Sequence, residues 1–148
     1  MLDGIGFAAY LPMDWRIHNF AKNARLKDFT VLVVEDEIMA RHALAALLDA
    51  KGYLVLAAES GEKALELLRK SRRVMVALVD YSLPGMNGLS LIQRLRALDG
   101  EIVPILMTAD DDDEIISRAY NDSVTYMRKP IDIGRVFELL SKQTAVHM

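Results

Sequence analysis

The chain has 148 residues and no cysteine. That excludes a disulfide framework, a thiolate zinc site and a thiol nucleophile, and it suits a reducing compartment. No apolar stretch approaches the roughly 20 residues that a membrane helix needs, so no membrane association is expected. No secretory leader is expected either. Asp3 stands where such a leader carries basic residues, and Pro12 interrupts the apolar part of the start, so no targeting segment is read. Charge of one sign is also scarce. The formal net charge is only −3, and this mild acidity argues against direct contact with nucleic acid, because neutralising a phosphate backbone takes clustered lysine and arginine. There is no internal repeat and no low-complexity tract beyond the short acidic run Asp110–Glu114, which suits a helix N-terminus.

What remains is an ordinary globular composition, 52% hydrophobic and 26% charged, in a chain long enough for one domain with a real core. From Thr30 onward, strand-like and helix-like segments alternate. Val31–Val34, Leu54–Ala57, Val74–Val79, Val103–Met107 and Thr125–Met127 read as strands. Between them, Ala40, Ala43, Leu44, Leu47 and Leu48 recur every three or four positions and end at Gly52, a helix stop. The same period recurs in Leu91, Ile92, Leu95 and Leu98, in Ile115, Ile116 and Ala119, and in Ile133, Val136, Phe137 and Leu140. Ser60 and Asp132 stand as N-caps. Strict alternation of five β and five α segments predicts an α/β fold with parallel strands and helices on both faces.

Residues 1–29 differ in character. Met13, Ile17, Phe20, Ala21 and Ala24 fall on one face of a helix-compatible pattern starting near Pro12, and the segment is weakly net basic where the remainder is net acidic. The expected division is an N-terminal extension, residues 1–29, and a domain, residues 30–148.

The chemistry gathers at strand ends. Asp80 closes the run Val74–Val79 just before Tyr81-Ser82-Leu83-Pro84-Gly85, which places a carboxylate at the tip of a buried strand, the edge where open α/β sheets bind ligands. Glu35 and Asp36 end the first strand in the same way; Thr108 ends the fourth and Lys129 follows the fifth. Three acids, a hydroxyl and an amine suit a divalent cation and a phosphoryl group. Adjacent carboxylates repel by about 4 kcal/mol per pair at 4 Å and an effective dielectric of 20, a strain that a hard cation and Lys129 relieve. Mg²⁺, which prefers oxygen ligands and retained waters, fits such a set.

Together, Val31-Leu32-Val33-Val34-Glu35-Asp36-Glu37, Leu78-Val79-Asp80 through Pro84-Gly85-Met86-Asn87-Gly88, Pro104-Ile105-Leu106-Met107-Thr108-Ala109 and Tyr126-Met127-Arg128-Lys129-Pro130 resemble the receiver domain of two-component response regulators. The resemblance covers about residues 30–145. It implies a flavodoxin-like, doubly wound five-stranded parallel sheet of order 2-1-3-4-5 flanked by five helices, an order known from receivers of this family. It also implies that Asp80 accepts a phosphoryl group, and that Asp36, Asp80 and the Ser82 carbonyl bind Mg²⁺ while Glu35 holds a metal-bound water. Lys129 and Thr108 would contact the phosphoryl oxygens, and Tyr126 would act with Thr108 as the switch. Lys129–Pro130 would be cis. Asp122-Ser123 stands where the family usually has Gly-Ala, so a left-handed helix end there would fall on Asp122 at some cost.

The implied function is that of a cytoplasmic signalling switch rather than an enzyme. Its phosphodonor would be a sensor histidine kinase or a histidine phosphotransfer protein, and its output contact with another protein or a second copy of itself. One alternative is the receiver portion of a DNA-binding transcriptional regulator. A phosphatase turning over an aspartyl phosphate is disfavoured, since the haloacid-dehalogenase pattern wants an acid where Ser82 stands. His18, His42 and His147 carry no role in this reading, and Trp15 and Phe20 read as packing residues.

Overall fold

The computed structural model describes residues 29–71 and 73–147; the expected N-terminal helix, with His18, lies outside them. Five strands, β1 (Thr30–Val34), β2 (Leu54–Ala58), β3 (Val76–Asp80), β4 (Val103–Thr108) and β5 (Thr125–Arg128), alternate with α1 (Ile38–Lys51), α2 (Gly61–Lys70), α3 (Gly88–Leu98), α4 (Asp113–Asn121) and α5 (Ile133–His147). The sheet is wholly parallel, in the order β2-β1-β3-β4-β5. Strand ends differ slightly from the sequence reading. Val74 and Met75 are buried but precede β3, and Asp80 is the strand's last paired residue, opposite Met107.

Continuous apolar runs in β1 and β3 follow from burial on both faces, the usual consequence of a parallel sheet covered on each side. Val31, Val33 and Leu78 face Leu44 and Leu48 of α1 and Val136 and Leu140 of α5. Leu32, Val34 and Val79 face Leu65 and Leu68 of α2, Leu91 and Leu95 of α3, and Ile115 and Ala119 of α4. Edge strand β2 is exposed or half-buried from Leu54 to Ala57, and only Ala58 is buried.

Side-chain caps start the helices. Glu37 accepts from the Met39 and Ala40 amides, Ser60 from Lys63, Asn87 from Ser90, Asp112 from Glu114, and Asp132 from Arg135. Gly52, at φ 108°, closes α1 through bonds to Asp49 and Leu48. Two local expectations change. Asp122 keeps an ordinary negative φ of −89°, and the left-handed residue is Ser123 at φ 57°. Arg96 of α3 donates to the carbonyls of both, at 2.5 and 2.8 Å, so a cation from another helix neutralises the carbonyl end of α4. And of the apolar face of α1, only Leu44 and Leu48 are buried; Ala40, Ala43 and Leu47 face outward.

Candidate functional site

Parallel register brings the expected residues to one edge. β1 lies between β2 and β3, so Glu35, just past Val34, stands next to the end of β3, where Asp80 sits. Both are buried, Glu35 at 2% and Asp80 at 5% exposure, whereas Asp36 is exposed. One carboxylate oxygen from each of Glu35, Asp36 and Asp80 lies within 4.8 Å of the others. Lys129, carried in by the turn after β5 and a cis Lys129–Pro130 bond, donates Nζ to Glu35 Oε1 at 2.6 Å and to Asp80 Oδ2 at 2.9 Å.

Burial, and then the hydrogen bond to Asp80, push the Glu35 carboxyl up to about 7, against the lowering effect of Lys129. Burial works to lower the Lys129 ammonium, but its bonds to Glu35 and Asp80 outweigh that and leave it above the usual lysine value. A cation bound at the mouth of the two acids would favour the ionised form of Glu35. The oxygen-only donor set and its open side toward Asp36 fit a hard divalent ion.

The Ser82 amide donates to Asp80 Oδ1 at 3.2 Å, folding the loop back over the acid. Ser82 lines a surface cleft together with Asp36, Tyr81, Leu83, Pro84 and Asn87. Thr108 is buried and its Oγ1 accepts from the Asp110 amide at 3.1 Å. Tyr126 is half-buried and its hydroxyl donates to the Asp110 carbonyl at 3.0 Å. Thr108 and Tyr126 are thus joined through one peptide segment. The run Asp110–Glu114 divides its work: Asp112 caps α4, Asp113 and Glu114 occupy its first turn, and Asp111 pairs with Arg128 at 2.7 Å.

Two contributors escaped the sequence reading. Arg41 reaches back from α1 to the carbonyls of Glu35 (2.9 Å) and Asp36 (3.2 Å), holding the loop that presents both acids. A basic residue in the second turn after an acidic strand end is the signal, and it is a faint one. Gly88 is the other: a Cβ there would lie 2.4 Å from the Asp80 carbonyl oxygen, and its amide donates to the Tyr81 carbonyl at 2.7 Å. Only glycine lets α3 start this close to β3.

The chain is similar to known proteins in sequence and in fold. A family model described as the response regulator receiver domain matches residues 31–141. Sporulation initiation phosphotransferase F of Bacillus subtilis is 30% identical over 113 residues, covering 76% of this chain and 90% of that protein. A cyclic di-GMP phosphodiesterase of Thermotoga maritima is 39% identical over 105 residues, 70% of this chain, but the chain spans only 28% of that longer protein. Among solved structures, the response regulator TrrA of Thermotoga maritima, in complex with Mg²⁺–BeF, superposes with a TM-score of 0.67 at 27% identity, covering 77% of this chain and 97% of that one.

Proposed function

The chain belongs to the family of response regulator receiver domains, and from that premise we propose that it is a phosphorylatable switch whose acceptor is Asp80. The observation that carries this reading is the Lys129 ammonium bridging two buried carboxylates, Glu35 and Asp80, at the tips of neighbouring strands. An ion pair costs desolvation where it is buried, and keeping two acids and one amine there serves chemistry better than stability.

In the reaction, an Asp80 carboxylate oxygen forms a bond to the phosphorus of the donor. The bond between phosphorus and the donor atom breaks, and the donor leaves with the electron pair: an imidazole nitrogen for a histidine kinase or histidine phosphotransfer protein, a carboxylate for a small acyl phosphate. The product is an acyl phosphate on Asp80. Asp36, Asp80 and the Ser82 carbonyl would hold Mg²⁺, with Glu35 behind them through water. Bound there, the ion offsets the repulsion between attacking carboxylate and incoming phosphate. Lys129 moves from the carboxylates to the phosphoryl oxygens as a flexible point charge, and the Thr108 hydroxyl turns from the Asp110 amide toward the same group. Tyr126, tied to Asp110, then answers the displacement of that segment, and the surface of α4, β5 and α5 changes for a downstream protein.

The family reading implies a cytoplasmic setting. Among the described residues, no helix is long and apolar enough to cross a membrane. A second reading, that the chain is the receiver portion of a longer regulator, draws on the small share of the Thermotoga phosphodiesterase that it spans.

Intact mass after incubation with Mg²⁺ and a small acyl-phosphate donor tests the proposal. The expected result is a gain of one phosphoryl group that depends on Mg²⁺ and is absent from Asp80→Asn. A folded protein that gains no phosphoryl group from either a small donor or a panel of histidine kinases would sink it.

A further inference from the structure

The two ends of α4 are held to different parts of the molecule. Toward the site, the Asp110 amide donates to Thr108 Oγ1 at 3.1 Å and the Tyr126 hydroxyl donates to the Asp110 carbonyl at 3.0 Å. At the far end, Arg96 of α3 extends its guanidinium to two successive carbonyls, Nη1 to Asp122 at 2.5 Å and Nη2 to Ser123 at 2.8 Å. The planar fork of an arginine suits such a pair of acceptors, and a lysine ammonium does not reproduce it. The turn under the fork is tight. The Val124 amide donates to the Ala119 carbonyl at 2.8 Å, and Val124 is buried. Among the described residues, Ser123 is the one non-glycine with a positive φ. Along its length α4 is lightly held, with Ile115 and Ala119 alone buried among its nine residues.

We propose that Arg96 makes residues 122–124 the pivot on which α4 turns when the site is occupied. The frame that carries Arg96 is firm: α3 begins at Gly88, close against the Asp80 carbonyl, and buries Leu89, Leu91, Ile92 and Leu95. The inference rests on the reading of Asp80 and Thr108 given above. On that reading a phosphoryl group on Asp80 draws the Thr108 hydroxyl away from Asp110, and the front of α4 loses a neutral bond. A charge-assisted bond is roughly twice as strong as a neutral one, and two of them hold the rear, so the front yields and the rear stays. Only Val124 and Thr125 lie between Ser123 and Tyr126. A fixed rear therefore keeps β5 in register while Asp110 moves, and the Tyr126 side chain rather than its backbone takes up the change. Arg96 bonds to the turn and acts through its backbone, as a positioning residue.

Amide NMR on the full chain with Mg²⁺, with and without beryllium fluoride as a stand-in for the phosphoryl group, tests the pivot. In the unmodified chain, fluoride should shift the resonances from Asp110 to Glu114 and leave those of Ser123 and Val124 in place. Arg96→Met should raise hydrogen exchange at Ser123 and Val124 roughly tenfold, as the loss of bonds from a charged donor implies. In that variant fluoride should now shift Ser123 and Val124 as well, because the freed rear moves with the front. Arg96→Lys, which keeps the charge but not the fork, should fall between. If exchange rises in Arg96→Met while fluoride still leaves Ser123 and Val124 in place, Arg96 is a helix cap only and the proposal is overturned. A shift at Ser123 and Val124 in the unmodified chain as large as that at Asp110 would overturn it too. No response from Asp110 to Glu114 would instead overturn the reading of Asp80, and the pivot with it.

Discussion

The tips of β1 and β3 and the tips of β4 and β5 lie side by side on one edge of the sheet but are held in unlike ways. At the first pair, Glu35 and Asp80 are buried and bound by charge-assisted bonds to one ammonium at 2.6 and 2.9 Å. At the second pair, Thr108 and Tyr126 meet through neutral bonds of 3.1 and 3.0 Å to a single peptide segment at Asp110, and the nearby Arg128–Asp111 pair is exposed. Charge-assisted buried bonds are roughly twice as strong as neutral ones, while exposed ion pairs contribute about 0–1 kcal/mol. One half of the edge is therefore tightly bonded around a single ammonium. The other half is held by weaker contacts that can be exchanged at smaller cost, which suits the switching role proposed for it.

Gly88→Ala should break the firm half most severely. Its Cβ would collide with the Asp80 carbonyl oxygen and the Tyr81 Cα, and neither belongs to a flexible side chain. A loss of about 3 kcal/mol in denaturant unfolding is expected, together with weakened Mg²⁺ binding because Asp80 must shift.

Lys129→Met comes next. It leaves Glu35 and Asp80 without their cation, and because the Lys129 side chain is 28% exposed, the loss should be about 2 kcal/mol rather than the 3–5 of a fully buried pair. Mg²⁺ should restore part of it, and unfolding with and without the ion measures both.

pH sharpens the comparison. The Glu35 carboxyl is raised from 4.5 to about 7, so the folded protein binds this proton more tightly than the unfolded chain does. Its contribution to stability is fully present below the ordinary value and is lost as pH rises from 4.5 through about 7. A divalent cation favours the ionised form. Mg²⁺ affinity, followed by calorimetry, should therefore fall as pH drops below 7, approaching tenfold per unit, and Glu35→Gln should flatten that dependence.

The smallest effect belongs to the soft half. Tyr126→Phe removes one exposed hydrogen bond to Asp110 and should cost about 0.5–1 kcal/mol at most, with Mg²⁺ affinity unchanged. A loss as large as that of Lys129→Met would erase the distinction between the halves.

Much of this edge is legible in the chain because each piece is local. Asp80 follows an unbroken apolar run and precedes a Pro-Gly turn, so its place at a strand tip follows from its neighbours. Ser60 and Asp132 reveal themselves as caps by what comes next. The two faces of α1 are less legible: Ala43 and Leu44 share one period, and only the way α1 packs on β1 and β2 decides that Leu44 is covered and Ala43 is not. Ser123 rather than Asp122 takes the left-handed conformation, with Arg96 of a different helix donating to the carbonyls of both. No window of the sequence around that turn contains Arg96.

By itself, the order of residues determined the alternation of strands and helices, the helix starts and stops, and which residue types end each strand. Periodicity, capping and turn propensity act within a few residues and are written in them. The tertiary structure decided the rest. Glu35 is buried and its neighbour Asp36 is exposed, although both are acids at the end of the same strand. Lys129 lies 94 residues from Glu35 and 49 from Asp80 and still bonds to both. Such contacts depend on the parallel register that brings four strand ends to one edge, and on the desolvation that register imposes, and neither is a property of any stretch of chain taken alone.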